Sequence, residues 1–108
     1  MKDEPTGFDI HRLRYDVSTG IRQLRITTHA QTEAFKDGLL LSDVRYIFDH
    51  GKLIEIYPDD ARGLLYAKLP NPTVPVHIVV EETPKEGVII TAYIPDKQRW
   101  LRNRKRRK

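Results

Sequence analysis

The sequence predicts an α+β fold in which N-terminal helices pack on one face of a four-stranded antiparallel sheet. Apolar residues recur at three- and four-residue spacing in the first half of the chain, and they alternate with polar residues in the second half. Short turns rich in proline, asparagine or aspartate separate the alternating runs, as in a meander. The 108 residues suffice for one modest hydrophobic core. We therefore expect a single domain over residues 1–96, followed by a basic tail over 97–108.

Three helices are expected in the first half, over residues 6–20, 28–38 and 42–51. Each begins at a side chain that can accept a hydrogen bond from the free N–H groups of a helix start, and these N-caps are Thr6, Thr28 and Ser42. A glycine closes each segment, and Gly51 is expected to adopt the left-handed conformation of a helix terminator. Because helices of this length are marginal alone, they must gain their stability by packing on the sheet.

Strands are expected at residues 53–57, 64–69, 76–80 and 88–93, and the alternation over 22–27 fits an additional short edge strand. Because side chains alternate between the faces of a strand, each run assigns residues to a face. The face expected to pack on the helices contains Ile54, Ile56, Leu65, Ala67, Leu69, Val76, Ile78, Val80, Val88, Ile90 and Ala92. The uncovered face then carries Glu55, Tyr57, Tyr66, Lys68, His77, Thr91 and Tyr93.

The last two strands form the hairpin that carries the best candidate site. If Val80 faces Val88 across this hairpin, His77 lies opposite Thr91 and diagonal to Tyr93. This register predicts an imidazole, a hydroxyl and a phenol together on the uncovered face.

Charge is distributed unevenly along the chain. The net charge is +4, whereas residues 97–108 carry eight basic side chains and no acidic one, so residues 1–96 carry a net charge of −4. We expect the tail to be disordered. It either attracts phosphate backbones through a salt-sensitive, sequence-independent interaction or is a solvated terminus without a dedicated partner.

The composition also excludes several classes of protein. Without cysteine, disulfides, thiol catalysis and cysteine-ligated zinc are excluded. The start of the sequence does not have the pattern of a secretory signal, and no apolar run approaches the roughly 18 residues that suggest a membrane span. We expect a soluble, cytoplasmic protein without a membrane partner.

Several short motifs together resemble one bacterial family. They are Thr28-His29-Ala30, Gly38, Asp43-Val44, Gly51, Ile54-Glu55, Tyr57-Pro58-Asp59-Asp60, Pro75 to Val80, Thr91 to Asp96, and Trp100. In order and spacing they resemble the domain-of-unknown-function family 4258. This resemblance implies a fold similar to RelE-type and barnase-like toxins, among which metal-independent RNA cleavage is common, and it implies an antitoxin or other co-encoded protein as a partner. It does not imply a settled activity.

RNA cleavage without a metal needs a base, an acid and groups that stabilise the phosphate. His77 could be the base or acid because imidazole titrates near neutral pH, while Tyr93 could donate a proton and Thr91 could orient a phosphate oxygen. His29, at a helix start that favours anions, is the second candidate histidine. The structural alternatives are a strand histidine satisfied by a neighbour for His77 and a capping role for His29.

Other side chains are candidates for binding RNA rather than cleaving it. Arg45 and Lys68 could contact phosphates, although each could equally be a solvated surface charge. Tyr57 and Tyr66 could stack on bases, or they could simply cover a sheet face. Arg102 and Arg104 of the basic tail complete the candidates.

No cofactor is expected. His29, His50 and His77 lack the spacing of metal ligands, and Asp59 with Asp60 is typical of a turn. The favoured function is an RNA-binding protein and candidate metal-independent endoribonuclease of the RelE-like toxin type. The alternatives are a non-catalytic protein-binding module of the same fold and a nucleic-acid adaptor that acts through its tail.

Overall fold

The computed structural model describes residues 8–95, and within them the chain is an α+β domain with three α-helices and one five-stranded sheet. The helices are α1 (Ile10–Ser18), α2 (Thr28–Lys36) and α3 (Leu41–His50). The strands are β1 (Gln23–Ile26), β2 (Lys52–Tyr57), β3 (Arg62–Pro70), β4 (Thr73–Glu82) and β5 (Glu86–Tyr93). A short 3₁₀ turn, Pro58–Asp60, joins β2 to β3.

The sheet has the order β1-β5-β4-β3-β2. Strands β2 to β5 form the expected antiparallel meander, whereas β1 pairs in parallel with β5 at the opposite edge from β2. The prediction of a four-stranded antiparallel sheet is therefore wrong in strand number and in type, because the sheet has five strands and is mixed. The short edge strand itself is confirmed, but its alternation could not indicate its partner or its direction.

The helices supply one wall of the core and the sheet supplies the other. Fully buried side chains of α3, Val44, Ile47 and Phe48, face β3 and β4. The strand glycine Gly63 makes room for the N-terminal segment. A Cβ at Gly63 would lie 2.5 Å from the Phe8 ring. The remaining buried apolar residues of this core are Ile10, Leu13, Ala30, Ala34, Leu39, Leu65, Leu69, Val76, Ile78, Val80, Ile89 and Ala92.

Arg22 is a buried cation that ties three segments together. Its guanidinium lies 2.8 Å from the Asp16 carboxylate of α1 and 2.9 Å from the Glu82 carboxylate of β4. It also donates a 2.9 Å hydrogen bond to the Thr83 carbonyl. Because two carboxylates and a carbonyl surround the guanidinium, its charge is paired inside the fold, and Arg22 stabilises the structure.

The helix starts differ from the predicted ones by one to three residues. The N-cap of α2 is Thr27, whose hydroxyl accepts a 3.0 Å hydrogen bond from the Ala30 N–H, and not Thr28. Helix α3 begins after Leu40, so the prediction of Ser42 as its N-cap is wrong. The N-cap of α1 is Asp9, whereas Thr6 lies outside the described residues.

The helix ends show two different uses of glycine. Gly38 follows α2 with φ +77°, as expected of a terminator. The left-handed conformation predicted for Gly51 is wrong, since its φ is −68°. A Cβ at Gly51 would instead lie 2.5 Å from the Ile47 carbonyl oxygen. Gly51 is therefore needed for close packing.

An irregularity between Val79 and Val80 changes the predicted register of the hairpin. Val80 pairs with Ile89 and not with Val88. The predicted core position Ile90 is consequently wrong, and Ile89 occupies the core face together with Ala92. Val88 is buried as predicted, with 6% exposed, although it lies outside the main core cluster. A similar irregularity in β2 changes the predicted face of Leu53, which pairs with Leu65, whereas Glu55 and Tyr57 keep their predicted face. Leu53 packs against the core, whereas Ile54 and Ile56 are 47% and 43% exposed.

The predictions for the tail concern residues that the structure does not describe. Residues 97–108, including Trp100, lie outside the described range, so neither the predicted boundary nor the predicted disorder of the tail can be compared with it. Among residues 8–95, no helix has the length and apolar character needed to cross a membrane.

Candidate active site

The sheet face opposite the helices carries a continuous row of polar and aromatic side chains. The strand registers place Lys52, Tyr66, His77 and Tyr93 side by side across β2, β3, β4 and β5. His77 therefore lies opposite Tyr93, and the prediction that it lies opposite Thr91 is wrong, since Thr91 pairs with Val79. The turn shifts the pairing by one residue, since Val80 pairs with Ile89, and the irregularity between Val79 and Val80 shifts it by one more, which brings the imidazole and the phenol into direct contact.

His77 is enclosed by two tyrosine rings. Its Nδ1 lies 3.2 Å from the Tyr93 hydroxyl. The Tyr93 and Tyr66 rings both meet the imidazole edge to face, with centroids 5.4 Å and 5.6 Å away. Partial burial lowers the pKa of His77, because it disfavours the charged imidazolium. In the neutral tautomer that accepts a hydrogen bond from Tyr93 at Nδ1, the Nε2–H remains as a donor.

Tyr93 is held in its protonated form. Its pKa is raised first by burial and second by the negative charge of Glu33. Both effects disfavour the phenolate, so the phenol remains a hydrogen-bond donor to His77 at neutral pH.

Glu33 reaches this face because α2 lies along the edge of β5. Within the described part of the chain, strand β1 pairs only with residues 86–89 of β5, so the second half of that edge has no partner strand there. The segment of α2 occupies it: the Thr27 hydroxyl donates to the Ile90 carbonyl at 3.3 Å, and the Ile94 N–H donates to the Asp37 carboxylate at 2.8 Å. The side chain of Glu33, midway along α2, then projects toward Thr91.

Glu33 connects the two predicted histidine regions into one site. The Thr91 hydroxyl donates a hydrogen bond to Glu33 Oε1. His29, one helical turn before Glu33, has its Nε2 3.4 Å from the same oxygen. All four predicted catalytic residues thus belong to one cluster, which we call the His–Glu–Tyr cluster and which consists of His29, Glu33, His77, Thr91 and Tyr93.

Two members of this surface were missed by sequence reasoning. Glu33 is four residues after His29 on a helix, and this spacing could have indicated that the two side chains share a face. Nothing in the sequence showed that α2 would lie beside β5. Lys52 was missed because the predicted strand began one residue later, at Leu53.

The predicted RNA-binding residues are divided between two sides of the molecule. Tyr66 and Lys68 share the open face with His77 by strand parity. Tyr57 is on the same face and donates a 2.9 Å hydrogen bond to Glu55. Arg45 lies in the helix layer, where it pairs with Asp49 at 3.1 Å. Arg102 and Arg104 fall outside the described residues.

The open face also shows a second perturbed phenol. The pKa of Tyr57 is raised mainly by burial of its ring, with further contributions from Glu55 and from the Tyr93 phenol. Tyr57 is therefore also protonated at neutral pH. In residues 8–95, no three histidine, aspartate or glutamate side chains are grouped so that they could hold a metal ion.

Comparison of the chain with known proteins identifies a family. The description "Domain of unknown function (DUF4258)" matches residues 26–94, which include all five members of the His–Glu–Tyr cluster. Neither a curated protein nor a solved structure matches the chain significantly. The matched segment begins at the end of β1 and ends just after β5, so it contains α2, α3 and the whole antiparallel meander. Because it spans well over half of the 108 residues, the chain belongs to the family of domains of unknown function 4258.

Proposed function

We propose that this protein binds RNA and cleaves it without a metal, as an endoribonuclease of the RelE-like toxin type. The observation that supports the proposal best is the convergence on Glu33, which joins His29 and Thr91 by direct contacts and acts electrostatically on Tyr93. This cluster contains a carboxylate, an imidazole and a neutral hydrogen-bond donor. Such groups can catalyse the attack of an RNA 2′-oxygen on the adjacent phosphorus.

In this proposal Glu33 is the general base. The Thr91 hydroxyl orients its carboxylate through Oε1, and Glu33 Oε2 takes the 2′-hydroxyl proton as the 2′-oxygen attacks the adjacent phosphorus. His29 in its protonated form gives a proton to the departing 5′-oxygen. The bond to the 5′-oxygen breaks as the new bond forms, and the products are a 2′,3′-cyclic phosphate and a free 5′-hydroxyl. Each of the two proton transfers typically contributes about a hundredfold to ten-thousandfold in rate.

His77 has a different role from the one that its sequence position suggested. Because Tyr93 donates to Nδ1, the Nε2–H of His77 is available to donate to a non-bridging phosphate oxygen. Burial lowers the pKa of His77 and keeps this group neutral. In the proposed mechanism His77 therefore stabilises the phosphate, and Tyr93 fixes its tautomer and ring orientation.

The remaining open face is the proposed RNA track. Lys52 and Lys68 flank Tyr66 on this face and are both exposed, so they can neutralise phosphates on either side of the cluster. Tyr66 and Tyr57 offer rings on which unpaired bases can stack. Arg45 is not part of this track because it lies in the helix layer.

The test is cleavage of a fluorescently labelled single-stranded oligoribonucleotide by the purified protein in excess EDTA. We expect products that end in 2′,3′-cyclic phosphate, identified by mass spectrometry. Glu33→Gln should reduce the rate at least a hundredfold, which corresponds to the loss of one positioned base. Glu86→Gln is the matched control, because Glu86 is at the far end of β5 and pairs with Arg25.

Three results would contradict the nuclease proposal. The parent protein could fail to cleave above the buffer rate, EDTA could abolish cleavage, or folded Glu33→Gln could cleave as fast as the Glu86→Gln control. Far-ultraviolet circular dichroism and thermal melting establish that each variant is folded.

An exposed edge strand favours protein binding as the alternative function. Among residues 8–95, strand β2 pairs only with β3, and its Ile54 and Ile56 are 47% and 43% exposed. An extended segment of an antitoxin or other co-encoded protein could add to this edge through main-chain hydrogen bonds. Ile54→Lys with Ile56→Lys should then abolish the complex, whereas Glu33→Gln should leave its affinity unchanged.

We further propose that the protein acts in the cytoplasm, where a cysteine-free chain and an RNA substrate are both expected. The adaptor function, in which the basic tail provides the RNA affinity, is tested by deleting residues 97–108. RNA affinity that is unchanged by the deletion and insensitive to salt would exclude it.

A further inference from the structure

A second row of side chains crosses the open face, parallel to the row that contains the imidazole. The strand registers pair Glu55 with Leu64, Leu64 with Val79, and Val79 with Thr91, so each strand from β2 to β5 contributes one residue. Leu64 and Val79 alternate with fully buried core residues along β3 and β4, so their side chains point to the open face. We call these four residues the second row.

The middle of the second row is apolar and faces away from the helices. Leu64 and Val79 are half-buried, and they lie between Glu55 at one end of the row and Thr91 at the other. Since neighbouring strands are about 4.8 Å apart, three strand spacings separate the backbones of Glu55 and Thr91 by roughly 14 Å. This distance leaves room for a ribose beside Thr91 and for a flat base on Leu64 and Val79, with the outer edge of the base directed at Glu55.

Glu55 ends the second row with a carboxylate whose position is fixed. Its side chain is exposed, and Oε1 accepts a 2.9 Å hydrogen bond from the hydroxyl of Tyr57, two residues further along the same face. An ionised carboxylate has about four acceptor positions, so the bond from Tyr57 leaves both oxygens able to accept further hydrogen bonds. Glu55 is therefore an oriented acceptor at the edge of an apolar surface.

An oriented carboxylate at this position is complementary to one base. Guanine has two adjacent donors, N1–H and N2–H, on its Watson–Crick edge, and one carboxylate can accept from both. In adenine and cytosine the amino donor lies next to a ring nitrogen that is an acceptor, and in uracil two carbonyl oxygens flank the N3–H. These acceptors are repelled by a carboxylate, so only guanine makes two hydrogen bonds without such a conflict.

We propose that the second row is a guanine site and that Glu55 selects this base by accepting hydrogen bonds from N1–H and N2–H. The base lies on Leu64 and Val79, and its ribose lies over Thr91 with the 2′-hydroxyl at Glu33. The placement of the ribose rests on the proposed nuclease function, which then cuts on the 3′ side of guanosine. Recognition of the base does not require cleavage, so a guanine nucleotide should bind whether or not the protein is a nuclease.

Binding of nucleoside 3′-monophosphates to the full chain tests the site. NMR titrations of the ¹⁵N-labelled protein measure the Kd of 3′-GMP, 3′-AMP, 3′-CMP and 3′-UMP. We expect 3′-GMP to bind about tenfold to a hundredfold more tightly than the other three, because this discrimination is typical of one bidentate pair with a base. Glu55→Gln should remove most of this preference, mainly by weakening the binding of 3′-GMP.

Glu81→Gln is the matched control for this titration. Glu81 lies on the same face of the sheet, two residues after Val79, and it pairs with Arg62 at 3.2 Å. The control should retain the preference of the parent for 3′-GMP. Far-ultraviolet circular dichroism establishes that both variants are folded.

The outcomes distinguish the guanine site from the nuclease. Absence of 3′-GMP binding, equal affinities for the four nucleotides, or equal preferences in folded Glu55→Gln and Glu81→Gln would overturn the guanine site. Cleavage of RNA in EDTA at equal rates after all four bases would overturn the site as well, and it would leave the nuclease proposal intact. Selective binding of 3′-GMP that depends on Glu55, without cleavage, would support the site and contradict the nuclease.

Discussion

Replacing Tyr93 with phenylalanine isolates the hydrogen bond on which the architecture of the candidate site depends. Tyr93→Phe retains the ring that meets His77 edge to face and removes only the hydroxyl 3.2 Å from Nδ1. A hydrogen bond of this kind contributes about 0.5–1.5 kcal/mol net. Because the imidazole is half-buried, we expect the free energy of unfolding to fall by about 1 kcal/mol, or about 4–8 °C in Tm for a domain of this size.

The same substitution should change the titration of His77. In the parent, burial lowers the pKa of His77. A Tyr93 hydroxyl that donates to Nδ1 favours the neutral ring further. Tyr93→Phe should therefore raise the pKa of His77. Heteronuclear NMR of the imidazole nitrogens measures this value directly, together with the tautomer. Tyr66→Phe is the matched control, because Tyr66 contacts the imidazole through its ring and its hydroxyl forms no hydrogen bond with residues 8–95.

The sign of the pH dependence follows from the direction of that shift. The folded-state pKa of His77 is below its unfolded value, so at acidic pH the unfolded chain takes up a proton that the folded chain resists. The contribution of His77 to stability is thus complete above the unfolded pKa, near 6.5, and is lost progressively as the pH falls toward the folded pKa. Urea unfolding across this range should show a weaker pH slope in His77→Gln. A His77 pKa at or above the ordinary value in the parent would refute the reasoning, as would a pKa that falls in Tyr93→Phe.

Two further predictions concern the scaffold. Thr27→Ala removes the N-cap of α2 and should lower the free energy of unfolding by about 0.5–2 kcal/mol, whereas Thr28→Ala should have little effect. Urea denaturation measures both values. A larger loss of stability in Thr28→Ala would contradict the observed cap. Arg22→Met leaves two largely buried carboxylates without their cation and should cost about 3–5 kcal/mol, while the same change at exposed Arg25 should cost about 1 kcal/mol or less. Equal thermal melts for the two arginine variants would show that burial does not distinguish them.

Local patterns predicted the elements of this fold well and their pairing less well. Alternation located all four strands of the meander, and it correctly assigned Val76, Ile78 and Val80 to the core. It failed wherever an extra residue interrupts the ladder. One irregularity moved Ile89 into the core, and another exposed Ile54. A bulge reverses the parity of everything after it, and its position depends on contacts across the sheet that the sequence of one strand does not contain.

The difference between local patterns and strand pairing also explains which parts of the candidate site were predicted. The placement of His77 on an open face depended only on the parity of β4, so the expectation was confirmed. Its partner depended on the register of β5 and was Tyr93 rather than Thr91. The contact of Glu33 with Thr91 could not be predicted, because it connects residues 58 positions apart through the packing of a helix on a strand edge.

The position of α2 protects the edge of β5 and also forms the candidate site. Strand β1 is only four residues long, so the second half of the β5 edge would otherwise present free backbone groups. Thr27 and Asp37, at the two ends of α2, satisfy two of these groups, at Ile90 and Ile94. A helix fixed at both ends in this way must hold its middle beside the strand, and Glu33 lies at that middle. The carboxylate on which the proposed chemistry depends is therefore positioned by the same contacts that protect the sheet edge, so lengthening β1 to complete the edge would displace α2 and separate Glu33 from Thr91.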